Sequence, residues 1–171
     1  MLNRQQIFTL ENGRVKVKGA YVGLSKESTK KLLLEQGFTI DEEDIKCIDL
    51  KGNIDPLGVC NLRIWWGNNS IGRIVITTDK KYTEEEMMAI FEQVKEELPD
   101  WPRYDYNGWG VSPKPHEIDY FWDLAEGLVK VVWDGYNIKP FSHNKDGIDK
   151  ISFEIWGPIV KDEAYWRSEV D

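Results

Sequence analysis

The 171-residue sequence predicts an α+β fold: a mostly antiparallel sheet of about seven strands with two main helices. Three observations carry this prediction. Alternating apolar and polar runs of strand length recur along the chain, turn-forming Gly, Asn and Asp clusters separate them, and two stretches show capped helical spacing. The span 1–171 reads as a single domain, a size at which roughly 70% of the unfolded surface is buried on folding.

The first run, 7–22, alternates around Asn12-Gly13 and reads as a hairpin, because that dipeptide readily takes the positive φ angles of a tight turn. Ser25 then caps a short basic helix over 26–36, with Leu33 and Leu34 expected to face inward and Gly37 ending it. The run Asp41, Glu42, Glu43, Asp44 reads as a solvated loop before a strand over 45–50. Residues 60–66 and 71–78 flank Gly67-Asn68-Asn69-Ser70 and form a second hairpin, with Leu62, Ile64 and Trp66 on one face and Trp65 on the other.

The strongest helix follows. Thr83 and Glu86 make a capping box, and Met87, Ile90, Phe91, Val94 and Leu98 repeat at helical spacing until Pro99. Beyond it, 117–124 reads as a strand, with a helix as the alternative, paired through Ala125-Glu126-Gly127 to a strand over 128–133. Residues 150–156 alternate cleanly, Gly157-Pro158 breaks the run, and 161–170 suggests a short terminal helix.

The formal net charge is −8, unevenly spread. Residues 1–37 hold seven Lys and Arg against three Asp and Glu, a surplus of four, so the rest of the chain carries −12. That balance argues against direct nucleic-acid binding, which needs clustered cations, and favours a basic partner. No apolar run approaches the ~20 residues of a membrane helix, and residues 1–13 lack the apolar core of a secretory signal. The expectation is therefore a cytoplasmic protein that does not span a membrane.

Chemistry-bearing motifs are mostly incomplete. Cys47 and Cys60 have no metal-ligand spacing and read as thiols of the interior. His116-Glu117 begins a zinc-protease signature, but Tyr120 stands where the second His is needed. Residues 142–153 resemble a calcium loop with Phe153 in place of the bidentate carboxylate. Ser28 and Lys31 match SxxK without its companion elements, and no phosphate loop or nucleophile elbow is present. No cofactor, metal ligand or catalytic residue is assigned.

The informative stretch is 100–123, with three Trp and three Tyr between Pro-containing turns. Its loop portion, 100–117, at about 18 residues, exceeds ordinary connections, and such loops tend to be functional or disordered. The candidate binding residues are Asp100, Trp101, Tyr104, Asp105, Tyr106, Trp109, Glu117 and Asp119. Aromatic rings supply the energetic centres of interfaces and carboxylates steer a cationic partner. The leading expectation is a non-enzymatic acidic binding or inhibitor protein, immunity- or antitoxin-like in composition, docking a basic protein such as a nuclease or another nucleic-acid-binding protein. The first alternative is a carbohydrate-active or small-molecule hydrolase using Asp105, Glu117, Asp119 or Asp123 beside Trp101, Trp109 or Trp122. The second is a subunit of an oligomer or scaffold.

Overall fold

The computed structural model describes residues 5–11, 14–98, 103–106, 118–124, 127–133 and 148–156. The α+β class and the predominance of antiparallel pairing hold. The described strands form an eight-stranded sheet and two separate two-stranded sheets, more than the single sheet of about seven that the sequence suggests.

β1 (Thr9–Glu11) and β2 (Arg14–Lys16) form the expected first hairpin, with Leu10 opposite Val15. α1 (Lys26–Glu35) starts at Ser25, whose Oγ accepts from the Ser28 N–H at 3.2 Å. Gly37 follows the helix at φ +90°, a conformation that glycine adopts without a Cβ penalty. One expectation fails here: Leu33 is fully buried, but its neighbour Leu34 is 45% exposed, because successive helical residues lie about 100° apart and only one can face the sheet.

The acidic run is also not a loop. Thr39–Glu43 is β3, the outermost strand of the large sheet, paired to β4 (Cys47–Asn53) with a bulge between Ile40 and Glu42. Strand β4 begins later than predicted and leaves Ile45 in the connecting turn, 86% exposed. β5 (Val59–Gly67) and β6 (Ser70–Thr78) form the second hairpin as expected. α2 (Glu84–Glu97) has its complete capping box, with Thr83 Oγ1 accepting from Glu86 N and Glu86 Oε2 accepting from Thr83 N. β7 (Tyr82–Thr83) pairs with β11 (Ile148–Asp149) apart from the main sheet.

β8 (Arg103–Tyr106) is a strand inside the stretch that reads as a loop, β9 (Ile118–Leu124) is a strand as expected in preference to a helix, and β10 (Gly127–Trp133) pairs with it. β12 (Ile151–Trp156) completes the set. The large sheet runs β3-β4-β5-β6-β12-β10-β9-β8, every neighbour antiparallel. The turn Asn12-Gly13, the 142–147 part of the calcium-like segment and the terminal segment 161–170 lie outside the described residues.

The core lies on one face of this sheet. Ile48, Leu50, Leu62, Ile64, Ile74, Ile76, Phe153 and Ile155 alternate inward and join Leu33 of α1 and Met87, Phe91, Val94 and Leu98 of α2 in one buried cluster. Phe8 meets Phe153 edge to face at 5.5 Å, an arrangement that the ring quadrupoles favour. The amino-terminal segment is tied to α2 by Glu97, whose carboxylate accepts from the N–H groups of Ile7 (2.5 Å) and Phe8 (3.3 Å), and by Gln93, which donates to the Gln5 carbonyl. At the β6–β12 seam, buried Thr78 Oγ1 accepts from Ile151 N and donates to the Lys80 carbonyl, both at 2.9 Å. Trp66 packs partly buried against this core, and Trp65 falls on the opposite parity of β5, as its sequence position predicts.

Candidate docking face and sheet edges

With both helices contributing to the core on the inner face, the outer face of the sheet is the surface whose residues the core does not consume. Its composition follows from alternation: wherever β5 buries Leu62 and Ile64, the residues between them, Asn61, Arg63 and Trp65, stand on the other side.

The strand registers assemble these outer residues into three ladder rows. One runs Asp49, Arg63, Val75, Glu154, Lys130, Phe121, Tyr104. A second runs Lys51, Asn61, Thr77, Ser152, Val132, Asp119, Tyr106. The third runs Cys47, Trp65, Arg73, Trp156, Leu128, Asp123. Three of the predicted binding residues, Tyr104, Tyr106 and Asp119, thus occupy the outer face at its β8 end. Asp105 stands opposite Tyr120, in the alternate row that continues through Val131 to buried Phe153. Asp100, Trp101, Trp109 and Glu117 lie outside the described residues.

Asp49 with Arg63, and Arg73 with Glu154, form ion pairs on this face. Arg63 grips Asp49 with two parallel bonds, Nε to Oδ1 at 2.7 Å and Nη2 to Oδ2 at 2.8 Å, and its guanidinium lies 5.9 Å from the centre of the Trp65 ring. The hydrogen bond to Asp49 raises the Arg63 pKa further, so the guanidinium stays charged at every working pH. Arg73 Nη2 reaches Glu154 Oε1 at 2.9 Å across the β6–β12 seam. A guanidinium and an indole thus lie together on β5, with the guanidinium charge balanced by Asp49.

The two rims differ. At the β3 rim all five strand residues are exposed, and Asp41, Glu42 and Glu43 lie in succession. Asp44, in the turn, accepts from Cys47 N at 2.9 Å and Lys46 N at 2.6 Å, and these bonds hold its carboxyl below the usual carboxylate range. The sequence missed this rim as structure because an acidic strand with both faces in water shows no apolar alternation.

Two hollows were also not legible. A cleft of about 600 Å³ lies between the turn Pro56, Leu57, Val59 and the α2 residues Ala89 and Ile90, with Lys80 set 4.8 Å from the Tyr82 ring centre. Its walls come from three separated segments, so no local motif could announce it. A smaller hollow of about 270 Å³ includes both Ser28 and Lys31 of the SxxK match, and no hydrogen bond joins that pair. Both cysteines are free. Burial pushes the Cys60 thiol up to about 12, and burial followed by nearby Asp44 raises that of Cys47. Among the described residues, no cluster of three His, Cys, Asp or Glu could hold a metal ion, and no helix is long and apolar enough to cross a membrane.

Comparison with protein-family models, with curated proteins and with solved structures returns no match to this chain. The assignment of function therefore rests on the residues themselves.

Proposed function

We propose that this chain is a non-enzymatic docking or inhibitory protein of the cytoplasm that binds a basic protein partner, a nuclease or another nucleic-acid-binding protein. Asp100, Trp101, Tyr104, Asp105, Tyr106, Trp109, Glu117 and Asp119 form the binding set, with the rings contributing affinity and the carboxylates steering approach. The observation that supports this most is the register at the β8 end, where Tyr104 opposes Phe121 and Tyr106 opposes Asp119 at the sheet margin. That register sets two tyrosines of the long central stretch opposite a phenylalanine and an aspartate, the combination of residue types that the reading needs. A net charge of −8 gives the long-range field that attracts a cation-rich surface.

The test is capture of partners from lysate with the whole chain at low and high salt, beside the same chain carrying Tyr104→Ala and Tyr106→Ala. A basic protein should be retained at low salt and lost or slowed at high salt, with retention weakened by about tenfold in the double variant. Retention that ignores both salt and the two tyrosines would sink the proposal.

A further inference from the structure

The opposite rim of the sheet carries a second surface. Of the four exposed large hydrophobic residues among the described residues, three lie between α1 and the turn that follows β3: Leu34 (45% exposed), Ile40 (38%) and Ile45 (86%). Lys30, one helical turn before Leu34 and on the same helix side, forms an ion pair with Glu43 of β3 at 2.8 Å. The chain reverses between α1 and β3, so the helix face that meets Glu43 at Lys30 continues past Leu34 toward the Ile40 end of the strand. Ile40 opposes buried Leu50 and lies on the inner face, whereas Glu42 opposes Asp49 and lies on the outer one. The result is an edge strand with Ile40 and the Lys30-paired Glu43 toward the helix and Glu42 toward the outer face.

We infer that the α1–β3 rim takes an extended segment of a partner protein in which apolar residues alternate with Lys or Arg. The segment would lie along β3 as an added strand. Its apolar residues would cover Leu34 and Ile40, and its cations would stand beside Asp41 and Glu42. An outermost strand offers unpaired backbone donors and acceptors, and side-chain periodicity then sets which residues meet which face. Charge decides the identity of the occupant. A second copy of this chain would set Asp41, Glu42 and Glu43 against their equivalents, and like charges directly opposed across strands are destabilising. This surface is separate from the β8 end, and its test does not depend on the reading given for Tyr104 and Tyr106.

The experiment measures fluorescence anisotropy of a labelled peptide alternating Val and Lys, titrated with the intact protein at low salt. A block isomer of the same composition and a version N-methylated at every second residue serve as comparisons. The alternating peptide should bind at least about tenfold more tightly than either comparison. Leu34→Ser with Ile40→Ser, and separately Glu42→Lys, should each weaken it by about tenfold, while Tyr104→Ala with Tyr106→Ala leaves it unchanged. Thermal melts establish that each variant is folded, and Glu42→Gln replaces the reversal if that one is not. Equal binding of the block isomer, indifference to Leu34, Ile40 and Glu42, or no binding of the alternating peptide would each overturn the inference. Loss of peptide binding in the tyrosine variant would move the site to the β8 end and overturn it as well.

Discussion

At Gly52 a single methyl group is decisive. A Cβ there would stand 2.4–2.6 Å from ring atoms of Phe38, and that ring is itself buried, so it has no solvent to retreat into. Gly52→Ala should destabilise the protein by about 1–3 kcal/mol, seen as a lower urea midpoint at unchanged slope. Cys60 makes a prediction of a different kind. Burial lifts its pKa from 9.0 to about 12, so the folded state holds the thiol proton more tightly than the unfolded chain does. The associated stability is whole below pH 9 and drains away as pH rises toward 12. Cys60→Ala should flatten this alkaline decline in stability, and peptide mass mapping after iodoacetamide treatment near neutral pH should find Cys60 labelled only in unfolded protein. A native Cys60 that reacts as fast as a free thiol would contradict its placement.

Among the elements, α2 was the most legible and also governs what packs around it. Its capping box satisfies the first-turn N–H of Glu86, and Thr83→Ala should cost about 1 kcal/mol. Glu97 near its other end accepts from Ile7 and Phe8, so Glu97→Ala should cost about 1–3 kcal/mol and speed amide exchange at those two residues. Unchanged exchange there would mean that the segment is held by Phe8 packing alone. Legibility followed the strength of local signals. The helix α2, the β5–β6 hairpin and β9 to β10 announced themselves through caps, turn residues and alternation. β3 and β8 did not. An all-exposed TIDEE has no buried side to create a period, and the four residues RYDY are too short to show one. Of the candidate site, the residue types were legible, but the rows joining Tyr104 to Arg63 and Tyr106 to Asn61 were not, because they depend on strand order.

For the whole molecule, that order has one dominant feature. β12 lies between β6 and β10, so residues distant in sequence, such as Thr77 and Ser152, become cross-strand neighbours at the middle of the sheet. Ile151, Phe153 and Ile155 of β12 are all buried, and among the described strands β8, β9 and β10 join the rest of the sheet through it. A chain ended before β11 should therefore lose the cooperative thermal transition, monitored by near-ultraviolet circular dichroism, and should not fold as a smaller version of itself. Survival of a sharp transition would show that β1 to β6 with the two helices is a self-sufficient unit. The same arrangement bears on synthesis. As the polypeptide emerges from the ribosome, β6 is completed long before its partner, and its greasy margin of Ile74 and Ile76 waits unzipped while some seventy further residues are added, the interval in which a nascent chain is most exposed to clumping and most in need of a chaperone.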